Sequence, residues 1–450
     1  MNIFRTTRNA ALLTLLPFLT FSQIALRPKP KPGFETRIKT YVDHLEIVDT
    51  HEHLMEEADV AKEGPIDFMH LLFHYADDDI KSAGMSKPEF AELLTDKYTV
   101  IEKWKRIKPF FEASKNTAYN RTVLLAIDRL YGIKDLNDST VLPLSQKLRE
   151  SYNGKWYDYV LKDRAKIKYS IQDVEKSRSA NPMFRYVEKF DAFIRIHSKQ
   201  EVLALGKEYN APVSDLDSYI AMLAGAFQEA MGRGIIGVKS ALAYHRTLKY
   251  EDTPKPVADS VFARLMNSPG DKTFAFNDVK PFQDYVMHQI IQLVRKNNIP
   301  FQFHTGLQSG DGNIIDNANP SHLANLFLQY RDVKFVLFHG GFPYGGILST
   351  QAKAFRNVYI DMCWSAIISP SYSERYLHEW LETVPANKIM AFGGDYHNVE
   401  GTYGHSLIAR AIVSKVLSEK VRDAYLTEAE AIDIARRLLR DNAIELFKIR

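Results

Sequence analysis

Short apolar runs rich in β-branched and aromatic residues alternate with longer stretches of helical spacing along most of the chain. This alternation is typical of a parallel sheet whose strands are joined by helices. Eight such runs can be counted, at residues 44–50, 168–174, 190–196, 235–242, 300–305, 334–339, 357–362 and 389–394. Eight strand–helix units predict an α/β fold, a (β/α)8 TIM barrel, whose chemistry is carried at the carboxyl ends of the strands.

Residues 55–167 separate the first two runs and do not alternate as strands do. Their apolar positions follow helical spacing, as in Phe90, Leu93, Leu94, Tyr98, Ile101 and Trp104. A large helical insertion after strand one is therefore predicted. Near the end of the chain, Thr427-Glu428-Ala429-Glu430 has the form of a capping box and predicts a last helix.

The amino-terminal residues have the pattern of a secretory signal peptide. Arg5 and Arg8 precede an apolar run at residues 10–21, and the small residues Thr20 and Ser22 precede Gln23. The run is shorter than the roughly 20 residues that a membrane span requires. Residues 1–22 are thus predicted to be removed, leaving a periplasmic or secreted protein with no stable membrane span. The proline-spaced residues 23–43 predict a linker, and residues 44–450 the barrel.

Composition narrows the function classes. Hydrophobic residues at 45% and charged residues at 25% are typical of a globular protein with a sizeable core. A net charge of +3 provides no basic field for nucleic acid, so we expect a small-molecule substrate. The single cysteine, Cys363, excludes an internal disulfide and any cysteine-rich metal site. Association into a homo-oligomer is left open.

Ionisable residues lie where five of the predicted strands end. His51 and His53 are alternate residues of strand one and therefore share a face, which points into the mouth of the barrel. The other strand ends carry Lys239, His304, His339 and Asp395. Six such groups would be costly to bury without partners, and a divalent cation satisfies several histidines and an aspartate at once. We expect one or two metal ions, zinc first, with manganese as the alternative.

The order of these residues resembles the amidohydrolase superfamily. The four phrases that carry the resemblance are Val-Asp-Thr-His-Glu-His at residues 48–53, Phe-His-Thr-Gly at 303–306, Phe-His-Gly-Gly at 338–341 and Gly-Gly-Asp-Tyr at 393–396. They are most similar to its amidohydrolase-related branch, also called amidohydrolase 2, and more distantly to uronate isomerases. The resemblance covers the chain from about residue 44 to its end and implies a hydrolase, a decarboxylase or an isomerase.

Two metal arrangements follow from the resemblance. If Lys239 is carboxylated, it bridges two metals, with His51, His53 and Asp395 on one and His304 and His339 on the other. If Lys239 stays a free amine, one metal is bound by His51, His53, His304 and Asp395, and His339 is a free acid/base group. In both, Asp395 can take a proton from water and pass it to a leaving group.

Three functions remain open. A hydrolase of an amide, ester or lactone bond in a small polar substrate is favoured by the complete set that includes Lys239. A decarboxylase or a uronate-isomerase-like enzyme is favoured by the branch and the helical insertion, and a non-catalytic secreted binding protein is the third alternative. Two further residues are predicted to contact substrate: Arg246, through a carboxylate, and Gln308, in the glycine-rich loop after strand five.

Overall fold

The computed structural model describes residues 30–176 and 181–449. The predicted signal peptide and the first residues of the predicted linker lie outside this part. Eight strands are hydrogen-bonded in parallel and in chain order, β1 to β8. They are β1 Ile47–Glu52, β2 Ile167–Val174, β3 Phe184–Lys189, β4 Gly237–Ser240, β5 Phe301–Phe303, β6 Phe335–Leu337, β7 Val358–Asp361 and β8 Ile389–Met390.

The sheet closes on itself through the residues that follow β8. Thr50 N donates to Phe392 O at 3.2 Å, and Asp395 N donates to His51 O at 2.8 Å. These bonds join the end of β8 to β1, so the prediction of a (β/α)8 barrel is confirmed. They also bring the chain segment that carries Asp395 directly against the strand that carries the histidine pair.

Helices surround the barrel and fill the insertion. The helix that precedes β1 and those between β1 and β2 are α1 Phe34–His44, α2 Glu57–Glu63, α3 Met69–Leu72, α4 Ala76–Ser82, α5 Lys87–Leu93, α6 Val100–Ser114, α7 Ala118–Tyr131, α8 Val141–Ser151 and a π-helix Asp158–Arg164. The large helical insertion after strand one is thus confirmed.

The later helices follow the strand–helix alternation. They are α9 Asp191–Ile194, α10 Lys199–Glu208, α11 Leu216–Gly232, α12 Lys255–Met266, α13 Phe276–Asn297, α14 Ala324–Gln329, α15 Gly345–Ala354, α16 Ser365–Ile368, α17 Pro370–Thr383, α18 Val399–Arg422, α19 Glu428–Arg436, a π-helix Arg437–Asp441 and α20 Asn442–Phe447. The capping box predicted at Thr427 is present, with Glu430 as its partner.

The prediction for strand three is wrong. β3 occupies Phe184–Lys189, and the predicted residues 190–196 contain the short helix α9 instead. The aromatic run from Phe190 packs outward, with Phe190 stacked on Phe227 at 5.0 Å between ring centroids. β3 itself carries charged side chains, and Glu188 is buried through its ion pair with Arg233.

The second part of the predicted linker is also corrected. From Phe34 onward the chain forms α1, in which Phe34, Ile38 and Val42 are buried. These apolar residues at helical spacing bury one face of α1 against α18 and α19. Among the described residues, no helix is both long and apolar enough to cross a membrane.

An apolar layer fills the lower part of the barrel. Val48, Ile171 and Val187 meet Val336 and Phe338 from the opposite side. The carboxyl-terminal residues Leu446, Phe447 and Ile449 complete this cluster. The polar strand ends therefore lie above a packed core that holds the strands, and the site, in place.

Candidate metal centre

Two imidazoles and one carboxylate converge at the mouth of the barrel. His51 Nε2 lies 3.3 Å and His53 Nε2 lies 3.2 Å from Asp395 Oδ1. Ligands around a tetrahedral ion with bonds of about 2.0–2.1 Å lie about 3.3 Å apart. The Nδ1 atom of His51 is buried and has no hydrogen-bond partner. The spacing and chemistry of these donors fit a divalent cation held by His51, His53 and Asp395.

Two acidic side chains of β1, Asp49 and Glu52, hold Asp395 in position beside the histidines. Asp49 Oδ1 accepts hydrogen bonds from the backbone of His51 at 3.2 Å and of Gly394 at 2.9 Å. Glu52 Oε2 accepts from the backbone of Tyr396 at 2.7 Å. The two carboxylates thus bind the amides on either side of Asp395 and fix it relative to β1. Burial raises the pKa of Asp49 to about 7.

The charge state of the centre follows from its surroundings. Burial acts to raise the pKa of Asp395, but the nearby His51, His53 and His339 hold it well below its usual value. Burial and the Lys239 amine lower the pKa of His51 to about 4. At neutral pH the carboxylate is therefore ionised and the His51 imidazole is neutral, which are the states that ligate a metal.

His339 and His304 form a chain of imidazoles beside the carboxylate. His339 Nδ1 lies 3.6 Å from Asp395 Oδ2, and its Nε2 lies 2.8 Å from His304 Nδ1. His304 Nε2 lies 2.8 Å from the carbonyl of Leu307. Both ring nitrogens of His304 are therefore engaged by protein groups. These contacts hold His304 against His339, and its role as a metal ligand stays a prediction.

Lys239 faces an acid that sequence reasoning missed. Its Nζ lies 3.6 Å from Asp173 Oδ2 and 3.5 Å from His51 Nε2, and all three residues are buried. An ion pair with Asp173 is the arrangement expected of a free amine. Asp173 is the seventh residue of β2, and its place at a strand end was the signal that could have identified it.

Residues of the insertion and of the loop after β8 cover the candidate metal centre. The His397 ring stacks on His53 with centroids 5.3 Å apart, and His74 lies edge-on to His397 at 4.3 Å. His74 is half-buried, and its Nδ1 atom is buried without a hydrogen-bond partner. His74 could not be identified from its sequence context, because nothing in the sequence places the insertion over the barrel.

An apolar cavity of about 340 Å³ adjoins this cover. Its lining combines His397 with residues of the insertion, namely Met55, Val60, Gly64, Pro65, Met69, His70, Phe73 and Leu94. Phe73, one of these lining residues, is 40% exposed. A cavity of about 560 Å³ lies among residues of the insertion. Another of about 500 Å³ lies at the carboxyl ends of β2, β3 and β4, where Glu175, Lys189 and Ala241 line it. Neither cavity contains a predicted site residue.

Both predicted substrate-binding residues are engaged in other contacts. Arg246 is buried and donates to Asp284 Oδ1 at 2.5 Å and to Gln283 Oε1 at 3.0 Å. Its guanidinium is engaged by these partners, which leaves its predicted contact with a substrate carboxylate without support. Gln308 donates from Nε2 to the carbonyl of Ala243 at 2.8 Å and secures its loop, which leaves its predicted substrate contact without support.

The backbone at the centre adopts conformations that side chains rarely allow. His339, Asp395 and Trp364 have φ angles of 63°, 62° and 64°. Each such left-handed residue costs on the order of 1–3 kcal/mol and persists only where its surroundings enforce it. Trp364 follows Cys363, the cysteine at the end of β7. Cys363 itself is buried and lies close to His339 and Asp395.

Comparison with known proteins agrees with this geometry. Residues 263–449 match the family model described as Amidohydrolase, which confirms the resemblance found in the sequence. In a sequence comparison, 224 residues are 28% identical to protein fluG of Emericella nidulans. That match covers 48% of this chain and 26% of fluG, so the matched half of this chain spans about a quarter of that relative's length.

Solved structures share the fold over nearly the whole chain. A uronate isomerase from Thermotoga maritima is 18% identical, with a TM-score of 0.76 over 93% of this chain and 98% of its own. A glucuronate isomerase from Caulobacter crescentus is 16% identical, with a TM-score of 0.74 over 93% and 94%. A protein assigned as a metal-dependent hydrolase from Lactobacillus casei is 16% identical, with a TM-score of 0.65 over 91% and 97%.

Proposed function

We propose that this chain, whose residues 263–449 match the amidohydrolase model, is a metal-dependent hydrolase that uses water to cleave an amide, ester or lactone bond. The observation that carries the proposal is the convergence of His51, His53 and Asp395 at the barrel mouth, with donor atoms 3.2–3.3 Å apart. A divalent cation held by these residues supplies the acidity that makes water a nucleophile near neutral pH.

Asp395 supplies the proton transfers. Its Oδ1 faces the two histidines, while Oδ2 points to the side of His339 at 3.6 Å. Because the pKa of Asp395 is held below its usual value, the carboxylate is ionised and accepts the proton of the attacking water. The protonated carboxyl group of Asp395 then delivers that proton to the leaving group. His339, held by His304, lies next to this path.

The apolar cavity favours a substrate with an apolar side group. Its lining of methionine, valine, phenylalanine and leucine side chains adjoins His397, which itself stacks on His53. Such a surface suits an alkyl or aryl group better than the hydroxyl groups of a sugar acid. Arg246, the predicted anchor for a carboxylate, is committed to Asp284. The cavity supports a substrate that carries an apolar side group.

Isotope labelling separates the candidate reactions. Metal-loaded protein is incubated in H₂¹⁸O with amides, esters and lactones that carry either a methyl or a phenyl group, and with uronates in parallel. The proposal predicts one ¹⁸O atom in the released acid and a preference for the phenyl series. Conversion of a uronate to a ketose with no net uptake of water would assign an isomerase. Release of CO₂ without hydrolysis would assign a decarboxylase.

A further inference from the structure

A polar side chain interrupts the apolar wall of the cavity of about 340 Å³. His70, on α3, lines this cavity together with His397 and with residues that carry no hydroxyl, amide or charged group. His397 stacks on His53, with ring centroids 5.3 Å apart, so the cavity reaches the candidate metal centre. The hydrogen bonds of His70 therefore determine which polar group a bound ligand can present to this wall.

A chain of hydrogen bonds leads from His70 into the core. The Tyr152 hydroxyl lies 2.9 Å from His70 Nε2 and donates to Glu400 Oε2 at 2.8 Å. The other carboxylate oxygen of Glu400 accepts from Tyr131 at 2.7 Å and from Trp156 Nε1 at 2.9 Å. Glu400 is fully buried, so these three donors satisfy its carboxylate. The Tyr152 proton is thus directed at Glu400.

This chain assigns the proton of the His70 ring. A hydroxyl group has one proton, and that of Tyr152 is directed at Glu400, so the Tyr152 oxygen accepts from His70 Nε2. Burial lowers the pKa of His70 below its ordinary value of 6.5, and the ring is therefore neutral at pH 7. A neutral imidazole carries a proton on one nitrogen and accepts with the other. Nε2 is the protonated nitrogen of His70, and Nδ1 is the acceptor.

The acceptor nitrogen is available to a ligand. Within residues 30–176 and 181–449, the His70 side chain makes its hydrogen bond through Nε2, and no protein group donates to Nδ1. The ring is half-buried and lines the cavity. An acceptor in an apolar wall loses its hydrogen bond to water when a purely apolar group fills the space beside it. The wall therefore favours a ligand that brings an O–H or N–H group.

We propose that His70 is a specificity-determining residue, whose Nδ1 accepts a hydrogen bond from an O–H or N–H group on the otherwise apolar side group of the substrate. This inference rests on the proposed function in that the cavity beside His397 holds this side group. The substrate is then an amide, ester or lactone with a donor-bearing group such as a hydroxyaryl group. Tyr152 is a positioning residue, because it fixes Nε2 as the protonated nitrogen. A site built to bond an O–H group rejects the analogue that lacks it.

Binding of two small probes tests this assignment without turnover. Phenol and anisole share a benzene ring, but phenol donates a hydrogen bond whereas the methyl ether only accepts one. Isothermal titration calorimetry of the metal-loaded full chain should give phenol a dissociation constant about tenfold lower than that of anisole. His70→Phe keeps a ring in the wall and removes the acceptor, so it should abolish this preference. Tyr152→Phe should reduce it, because the His70 ring can then place its proton on either nitrogen.

Phe73→Ala is the matched control in the same cavity. It removes apolar lining and leaves His70 in place, so it should weaken the binding of phenol and anisole by a similar factor and keep the preference. Equal affinities of the wild type for the two probes would overturn the proposal. A preference that persists in His70→Phe, or affinities that Phe73→Ala leaves unchanged, would do the same.

Nitrogen-15 NMR of the histidines provides a second measurement, made on the wild type. The His70 signals should show a protonated Nε2 and an unprotonated Nδ1, and the Nδ1 resonance should move upfield as phenol binds. A protonated Nδ1 would contradict the assignment. Neither measurement depends on which reaction the enzyme catalyses, so the proposed hydrolysis and this inference can fail separately.

Discussion

At the scale of single residues, the structure shows which site residues could be predicted from their positions at strand ends. His51, His53 and Asp395 come together because strand alternation and barrel geometry are enough to place them. The partners of Lys239 and Arg246 could not be predicted in the same way. Asp173 and Asp284 are distant in the chain, and a sequence does not say which cation each will meet.

Asp395→Asn tests the proton-transfer role. The amide cannot accept the proton from water, so we expect the rate of hydrolysis to fall by several orders of magnitude. His51 and His53 remain, so at least part of the metal should be retained. Metal analysis and kinetics on the same preparation check both expectations. Complete loss of metal would make Asp395 essential to ligation and leave its proton-transfer role without this support.

His405→Asn tests the electrostatic cost of a buried imidazole. Burial lowers the pKa of His405 from 6.5 to about 4 in the folded protein. The unfolded chain therefore binds a proton at higher pH than the folded one, and stability is lost as pH falls from about 6.5 towards 4. The free energy of unfolding falls by about 3 kcal/mol at most through this group.

Urea unfolding at pH 8 and at pH 5 measures this effect. The free energy of unfolding should fall less between the two pH values in His405→Asn than in the wild type. The exposed His44, at the end of α1, provides the control, and His44→Asn should keep the wild-type pH dependence. An unchanged dependence in His405→Asn would contradict the assigned pKa shift.

At the scale of elements, α18 joins the insertion to the metal centre. Glu400, in its first turn, is fully buried and accepts from Tyr131 at 2.7 Å, Tyr152 at 2.8 Å and Trp156 Nε1 at 2.9 Å. The helices of the insertion were predicted from their periodicity. Their docking was not, because it depends on long-range polar contacts such as these, between residues more than 240 positions apart.

Removing the Glu400 carboxylate should loosen the insertion. Glu400→Ala leaves three donors without their acceptor, and we expect a loss of about 3 kcal/mol in the free energy of unfolding. Urea denaturation followed by circular dichroism measures it. The exposed Glu229 in α11 is the control, and Glu229→Ala should change stability by less than about 0.5 kcal/mol. Equal effects of the two changes would contradict the anchoring role.

A pair of helical glycines tests the packing of α18. A Cβ on Gly404 would lie 2.8 Å from the Thr122 carbonyl of α7, whereas a Cβ on Gly225 in α11 meets nothing within 4 Å. Gly225→Ala should stabilise the protein by about 0.5–1 kcal/mol through helix propensity. Gly404→Ala should destabilise it because α7 and α18 must separate. Thermal melts of both variants test these expectations. A higher melting temperature for Gly404→Ala than for the wild type would contradict the packing of α7 on α18.

Strand three shows where periodicity misleads. Residues 190–196 are apolar enough to suggest a buried strand, yet they cap the barrel as a short helix and loop. β3 was overlooked because Arg185, Glu188 and Lys189 make it look like a surface segment. Ion pairs with Arg233 and Asp173 allow those charges to lie in a sheet. Single-sequence patterns do not contain such pairings.

At the scale of the whole molecule, the barrel, its insertion and the position of the centre were predictable, whereas the metal count was not. The fold follows from eight repeats of one pattern, each reinforcing the others. The number of ions depends on the state of Lys239, whose amine faces Asp173 and His51. We also propose, from the pattern at residues 1–22, that the protein acts outside the cytoplasm.

Amino-terminal sequencing tests that location. Protein isolated from its native host should begin near Gln23 and be found in the periplasmic or secreted fraction, because the apolar run after Arg5 and Arg8 has the form of a cleaved signal. The same chain with Leu13 and Leu15 changed to Arg should stay in the cytoplasm with Met1 intact. Soluble wild-type protein that keeps Met1 in the cytosol would contradict the proposal.

The central claim is a metal centre built on His51, His53 and Asp395, and metal content tests it most directly. Elemental analysis of purified wild-type protein should find at least one divalent ion per chain. His51→Ala and His53→Ala should lose nearly all of it while circular dichroism shows the barrel still folded, because other residues form the apolar layer below the centre. A folded His51→Ala protein with the full wild-type metal content would contradict the account.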